Sequence, residues 1–159
     1  MGRTLGVDPG QRRVGLALDD EAGQALAMPF GVVERGIDDA KAAAKVAQAL
    51  EGVELDAVVM GLPLRLDGTE GAAARRARRF AAALEAALGH PVELLDERLS
   101  TVAAERTLRE MGVRGKAQRA VVDETAAAIL LQSYLDRREY RRRQQPSASS
   151  DSWPDASED

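Results

Sequence analysis

Residues Thr4 to Asp20 read TLGVDPGQRRVGLALDD, and this stretch is the first with a strand pattern. Leu5 and Val7 are strand-forming residues, and Asp8-Pro9-Gly10 predicts a turn after them, since proline cannot donate to a ladder. Beyond the turn, apolar residues alternate with small ones, which predicts a second strand pairing back in a hairpin. Asp8 is therefore expected at a strand end. Its simplest role is to cap the turn, and only partner carboxylates elsewhere would indicate a site.

The composition indicates one globular domain without disulfides. The chain has 159 residues, of which 45% are hydrophobic and none is cysteine. This length suits one core, and the lack of cysteine excludes thiolate metal sites and a cysteine nucleophile. Without a signal peptide or long apolar span, we expect a cytoplasmic protein that does not enter a membrane. Because aromatic residues make up only 3% of the chain, nucleic-acid contacts should be electrostatic rather than stacking.

The net charge of −4 conceals an uneven distribution. Residues 144–159 hold four acidic and no basic residues, so residues 1–143 balance 22 basic with 22 acidic groups. Within this neutral body, residues 106–119 and 137–143 each carry five basic residues against one acidic residue. These two segments could contact phosphates. The composition of residues 144–159, rich in Ser, Pro and Asp, predicts a disordered acidic tail after a domain at 1–143.

The middle of the chain alternates strand and helix patterns. Met28 to Arg35 predicts a third strand that completes an antiparallel meander, and Asp38 to Glu51 has the spacing of an amphipathic helix. Ala57 to Gly61 is a short continuous apolar run, typical of a parallel strand covered on both faces. Thr69 is then expected to cap a helix that should end near Leu88.

Val92 to Leu95 predicts the next strand, and the most informative stretch of the chain follows it: Asp96-Glu97-Arg98-Leu99-Ser100-Thr101. Three charges at a strand end form either a solvated loop with local ion pairs or part of a site. A helix capped by Ser100 or Thr101 should then run through Met111.

A basic loop and a long helix are predicted to complete the domain. Residues 112–119 contain two glycines and no apolar periodicity, which predicts a mobile basic loop. Its cations are Arg114, Lys116 and Arg119. The next helix, from Val121 to about Arg141, should pack on the sheet because much of its circumference is apolar. Asp123 would lie near its start, where its simplest role is to stabilise the helix dipole.

The predicted order βββαβαβαα is the ribonuclease H-like arrangement: a mixed five-stranded α/β sheet, with an antiparallel meander plus parallel strands, flanked by helices. From residue 3 to about residue 136 the chain also resembles the YqgF (RuvX) family. The motifs that carry the resemblance are Gly6-Val7-Asp8-Pro9-Gly10 with Arg13-Val14-Gly15, Gly61-Leu62-Pro63 with Asp67-Gly68-Thr69-Glu70, Asp96 to Thr101, and Val122-Asp123. The resemblance implies a nuclease homologous to Holliday junction resolvases and linked to maturation of the 5′ end of 16S ribosomal RNA.

For the site, the resemblance implies an acidic cluster of Asp8, Glu97 and Asp123. Three carboxylates are hard oxygen ligands for Mg²⁺ or Mn²⁺, and two such ions can activate water and stabilise the leaving oxygen of a phosphodiester. Junction-resolving relatives of this fold carry a fourth metal-binding residue about one turn after the helix Asp, where this chain has Ala126. A weaker second metal site is the expected consequence.

The partners implied by the resemblance are structured RNA or branched DNA, and pre-ribosomal particles. The cations Arg114, Lys116 and Arg119 are predicted to contact substrate phosphates, since they precede the helix that carries Asp123. A four-way junction needs two symmetric cuts, so a homodimer would favour that substrate.

Two other functions use parts of the same pattern. Actin-like and sugar-kinase ATPases also place an Asp before a glycine-containing turn, but they need two copies of the fold, and 159 residues predict one. A non-catalytic nucleic-acid-binding or ribosome-assembly factor would need the basic segments but not the three carboxylates. Metal-dependent cleavage separates an enzyme from such a binder.

Overall fold

The computed structural model describes residues 2–20, 25–99 and 116–144, without the side chains of Leu99 and of residues 116–125. The helix predicted after Ser100, the cation Arg114 and the predicted acidic tail beyond Gln144 lie outside the described residues. No helix in the described part is long and apolar enough to cross a membrane.

The described residues form one mixed sheet with helices on both faces. The strands are β1 (Arg3–Pro9), β2 (Arg13–Asp19), β3 (Ala27–Glu34), β4 (Leu55–Leu62) and β5 (Glu93–Asp96). The helices are α1 (Asp39–Ala49), α2 (Ala72–Leu88), a 3₁₀ turn (Glu97–Leu99) and α3 (Lys116–Gln144). The strand order is β3-β2-β1-β4-β5, antiparallel through β1 and parallel from β1 to β5. The predicted meander with parallel strands is therefore confirmed.

Because β1, β4 and β5 are parallel, their carboxyl ends lie at one edge of the sheet, where α/β proteins commonly bind ligands. We call this the carboxyl edge. The residues at the ends of these strands, including Asp96 at the end of β5 and Glu97 and Arg98 after it, lie at this edge.

The face covered by α1 and α2 holds most of the large apolar side chains. Alternate residues of β1 and β2 enter this core, as strand geometry requires. Its largest fully buried members are Phe80, Leu5, Leu16, Leu18, Met60 and Leu84.

The opposite face is covered by α3, and the strand residues beneath this helix are smaller than those of the first face. Ala17, Gly6 and Val59 are register partners on β2, β1 and β4. A Cβ at Gly6 would lie only 2.7 Å from Cβ of Leu131 and 3.2 Å from the carbonyl oxygen of Ala127. Glycine at this position therefore lets the backbone of α3 approach β1 closely.

Contacts along β1 give the direction of α3. Arg138 Nη1 donates to Thr4 Oγ1 at 3.2 Å, whereas Gly6 meets Ala127 and Leu131. Residue numbers in α3 thus fall as those in β1 rise. The helix turns before Ala127 consequently lie toward Asp8 and the carboxyl edge.

Three local predictions are corrected. β1 does not stop before the Asp-Pro-Gly motif but includes Asp8 and Pro9, and Pro9 pairs with Val14. The turn is closed instead by the Gly10 N–H, which donates to the Arg13 carbonyl oxygen at 2.8 Å.

Thr69 does not cap α2, whose N-cap is Gly71 and has no side-chain cap hydrogen bond. Thr69 instead donates to Asp67 through its hydroxyl at 2.6 Å and its N–H at 2.9 Å. Thr69 therefore belongs to the short turn at Asp67-Gly68 and not to the start of the helix. Asp side chains commonly accept such hydrogen bonds from the residue two positions later.

The start of α3 is also corrected. It begins at Lys116, so Lys116 and Arg119 lie in a helix and not in a loop. Lys-Ala-Gln-Arg contains good helix formers and no glycine, and this propensity outweighs the missing apolar periodicity. Asp123 lies seven residues after Lys116. Because the effect of a helix dipole falls off within the first turn, the dipole role is removed.

Candidate active site

Asp8 lies at the carboxyl edge and on the α3 face of the sheet. It is on the same side of β1 as Gly6, because side chains alternate along a strand, and only 1% of its surface is exposed. On β2 its register partner is Gly15. The neighbour on β2 therefore adds no side chain beside the carboxylate.

Glu97 is the first residue of the 3₁₀ turn after β5 and is 3% exposed. Its carboxylate lies against the backbone of Gly61 on β4. A Cβ at Gly61 would lie 2.9 Å from Cγ and 3.1 Å from Cδ of Glu97, and would also collide with Oε1. The space that Glu97 occupies exists because residue 61 has no side chain.

Asp8 and Glu97 approach the same place from two strands. Val7 pairs with Met60, so Asp8 and Gly61 are neighbours one step closer to the carboxyl edge. Gly61 faces the same side as Val59, which packs against α3. Both carboxylates therefore lie on the α3 face at one edge, and they are the buried carboxylates of the described part of the chain.

The third predicted member, Asp123, lies in α3, one helical turn before Ala127. Since Ala127 contacts Gly6 and the earlier turns of α3 lie toward Asp8, the turn that contains Asp123 lies nearer the carboxyl edge than Ala127 does. The side chain of Asp123 lies outside the described part. Among the described side chains, no group of three or more His, Cys, Asp or Glu could hold a metal ion.

Ala126 occupies the position at which the junction-resolving relatives were expected to carry a fourth ligand. It is 1% exposed and forms a small apolar cluster with Leu130, against which Leu95 and Ile129 pack. This position is therefore part of the contact between α3 and β5.

The three charged residues Asp96, Glu97 and Arg98 at the end of β5 have two different roles. Asp96 and Arg98 form an ion pair with Nη2 to Oδ2 at 2.8 Å, and the hydrogen bonds from the Arg98 guanidinium lower the pKa of Asp96 below its ordinary value. The ion-pair interpretation of this stretch is therefore right for these two residues. Glu97 between them is buried on the other side of the sheet.

Two roles were not predicted from the sequence: Gly61 makes room for the Glu97 carboxylate, and Arg98 bonds to both Asp96 and Leu66. The signal for Gly61 was present, since a glycine that ends an apolar strand indicates a close approach. Arg98 carried no separate signal within its run of charges.

No contact in the described part of the chain joins the predicted phosphate-binding cations to Asp8 or Glu97. Lys116 and Arg119 lie in the first turns of α3, with side chains outside the description, and Arg114 lies outside it altogether. Their contact with substrate stays a prediction.

Fold and site together define an α/β protein of the ribonuclease H-like class, with carboxylates at the ends of its parallel strands. RuvC of T. thermophilus, solved "in complex with Holliday junction substrate", has a similar fold: the TM-score is 0.57 at 18% identity over 88% of this chain and 97% of that one. A second Thermus thermophilus RuvC structure gives 0.51 at 19% identity over 87% and 96%.

Sequence comparisons show the family. Residues 2–137 match the model of the RuvX family, described as Holliday junction resolvase. A protein of Anaeromyxobacter dehalogenans (strain 2CP-C) named "Putative pre-16S rRNA nuclease" is 52% identical over 136 residues, which are 86% of this chain and 98% of that one. A relative of the same name from Nocardioides sp. (strain ATCC BAA-499 / JS614) is 44% identical over 85% and 88%. The chain belongs to the RuvX family, as predicted.

Proposed function

We propose that this chain is a metal-dependent nuclease that hydrolyses phosphodiester bonds in structured nucleic acid. The observation that carries the proposal is the placement of Asp8 and Glu97, which are 1% and 3% exposed, at one edge and on one face of the sheet. A divalent cation bound by both carboxylates would offset the negative charge of each.

The donor set fits Mg²⁺ or Mn²⁺. Asp8 and Glu97 offer oxygen atoms, which hard cations prefer, and Gly15 and Gly61 leave room beside them. We propose Asp8, Glu97 and Asp123 as the metal-binding and catalytic residues. Two bound ions would supply an activated water and stabilise the leaving oxygen of a phosphodiester. With Ala126 in place of a fourth metal-binding residue, binding of the second ion should be the weaker of the two.

The protein's own contribution is to hold these groups in place. Asp8 lies in a strand that is paired on both sides, by β2 and by β4. Glu97 is held against Gly61 by the turn that follows β5. A site built on strand ends is more rigid than one on long loops, which favours the fixed geometry that catalysis needs.

The names of the relatives suggest two substrates, precursor 16S rRNA and the four-way Holliday junction, and we propose that the substrate is one or both. Pre-ribosomal particles would present the RNA substrate. We propose that Arg114, Lys116 and Arg119 contact the phosphates of the substrate. A homodimer would suit the junction, because a two-fold axis supplies two active sites.

Cleavage of both substrates should be measured in one buffer, with Mg²⁺, with Mn²⁺ and with chelator. The wild type is expected to cleave only with metal. Asp8→Asn and Glu97→Gln, which preserve size, should lose cleavage while keeping the wild-type melting temperature. Glu93→Gln is the matched control, since Glu93 is an exposed carboxylate on the same strand that leads to Glu97.

Cleavage by Asp8→Asn at the wild-type rate under saturating metal would show that the site is wrongly assigned. Tight binding of either substrate without metal-dependent cleavage would instead identify a non-catalytic binder.

A further inference from the structure

Arg98 joins the turn that carries Glu97 to the loop between β4 and α2. Its Nε lies 3.1 Å from both carboxylate oxygens of Asp96, and its Nη2 lies 2.8 Å from Oδ2. On the other side, Nη1 donates to the carbonyl oxygen of Leu66 at 3.2 Å. The Arg98 N–H also donates to Asp96 Oδ1 at 2.9 Å, which closes the turn around Glu97.

The loop that receives Arg98 is itself held by several hydrogen bonds. The Arg65 N–H donates to the Thr69 carbonyl at 2.9 Å, and the Gly68 N–H donates to the Arg65 carbonyl at 2.8 Å. Gly68 also leaves room for the guanidinium, whose Nη1 lies 3.4 Å from the place where a Cβ would stand. Arg98 therefore bonds to a loop whose conformation is held by its own hydrogen bonds.

The same loop continues from β4, and β4 contains Gly61, against which Glu97 packs. The turn after β5 is thus held at two places: the Glu97 carboxylate packs against Gly61 of β4, and the Arg98 guanidinium bonds to Leu66 in the loop that follows β4. The two contacts involve neighbouring residues, one of which is Glu97 itself.

We propose that Arg98 is a positioning residue, which holds the 96–98 turn so that the carboxylate of Glu97 stays against Gly61. This inference rests on the proposed function, since it takes Glu97 to be a metal ligand. Arg98 acts through the backbone and touches neither metal nor substrate. Lysine cannot replace it, because a single ammonium does not reproduce a fork that holds a carboxylate and a carbonyl together.

Substrate contact is the rival role for Arg98, whose side chain is 36% exposed. All three of its guanidinium nitrogens already make the hydrogen bonds described above, and the carboxylate of Asp96 offsets its charge. The two roles predict different measurements. A phosphate contact contributes about one unit to the salt slope of binding, whereas a positioning residue contributes to metal affinity.

The first experiment tests the link itself in the full-length, metal-free protein. Hydrogen exchange is followed in peptides covering residues 64–71 and 93–99 of wild type, Arg98→Lys and Arg79→Lys. Arg79 is the control, an exposed arginine of α2. We expect about 3- to 10-fold faster exchange in both peptides for Arg98→Lys, the effect of losing one or two hydrogen bonds, and no change for the control. Unchanged exchange in Arg98→Lys overturns the inference.

The second experiment is a double-mutant cycle between Arg98→Lys and Glu97→Gln, read as Mn²⁺ affinity by calorimetry without substrate. Arg98→Lys alone should weaken affinity about 10-fold or more, as is usual for residues that orient a ligand. In the Glu97→Gln background it should add less than about 2-fold, because its effect passes through Glu97. Arg79→Lys should change neither value.

The outcomes separate the possibilities. If Glu97→Gln weakens Mn²⁺ binding but Arg98→Lys does not, or if the two effects add in full, Arg98 does not position Glu97. A salt slope of substrate binding that drops by about one unit in Arg98→Lys, at unchanged Mn²⁺ affinity, makes Arg98 a phosphate contact and also overturns the inference. Unchanged affinity in Glu97→Gln itself identifies failure of the proposed metal site, with which this inference also falls.

Discussion

The two faces of the sheet are packed with different kinds of residue. The α1 and α2 face buries large apolar side chains such as Phe80 and Leu16. On the α3 face the strands contribute smaller residues around Gly6, the large buried side chains come from the helix, and the three buried polar residues of the described part lie on this side. These residues are Thr4, Asp8 and Glu97.

This difference indicates a division of labour. Burial of large side chains supplies most of the stabilisation, and the first face has the larger core because both its strands and its helices contribute such side chains. On the second face, small residues bring α3 close to β1 and leave space around two carboxylates at the edge. The same substitution should therefore have different consequences on the two faces.

Phe80→Ala should have the largest effect. Phe80 is fully buried on the α1 and α2 face, and truncation of a buried aromatic residue typically costs about 3–5 kcal/mol. The free energy of unfolding should be measured by urea denaturation, with the exposed Ile37 changed to Ala as the control. A loss below about 1 kcal/mol would contradict the assignment of this face as the main core.

Gly6→Ala should be next, with a loss of about 1–3 kcal/mol through overpacking. The added Cβ would meet Cβ of Leu131 at 2.7 Å, so α3 has to move. The control is Gly31→Ala on β3, where a Cβ meets nothing within 4 Å. Equal stability of the two variants in urea would show that α3 does not pack this closely.

Gly61→Ala should separate function from stability. The added methyl group meets the flexible end of Glu97 instead of a helix backbone, so we expect the free energy of unfolding to fall by less than about 1 kcal/mol. Displacement of the carboxylate should weaken Mn²⁺ binding by about 10- to 100-fold. Wild-type Mn²⁺ affinity in this variant would mean that Glu97 is not a ligand, and Gly31→Ala again serves as control.

Replacement of Arg114, Lys116 and Arg119 by Ala should have the smallest effect on the folded protein. If all three cations contact phosphates, the dependence of log affinity on log salt should flatten by up to about three units, and binding should weaken across sequences. Mn²⁺ affinity without substrate should hardly change. Binding curves at several salt concentrations would measure this, and parallel slopes with equal affinity would exclude these cations from the interface.

Much of this architecture follows from local sequence patterns. Alternation and short apolar runs predicted the strands, and the Asp8 motif predicted a carboxylate at a strand end. The position of Glu97 relative to Asp96 was not predictable, because strand alternation gives way to a 3₁₀ turn between them. The start of α3 was not predicted because residues 112–119 contain two glycines and lack apolar periodicity, although the residues from Lys116 onward are good helix formers. The role of Thr69 was not predicted because a local hydrogen bond to Asp67 competes with capping.

We propose that Asp8, Glu97 and Asp123 form one metal site on the α3 face. The most direct test of this proposal is a crystal structure of the full chain with Mn²⁺, in which anomalous scattering locates the ion. We expect a manganese peak within bonding distance of carboxylate oxygens of all three residues, and its loss in Asp8→Asn crystals grown in the same solution. A peak elsewhere, or none at this edge under Mn²⁺ concentrations that support cleavage, would contradict it.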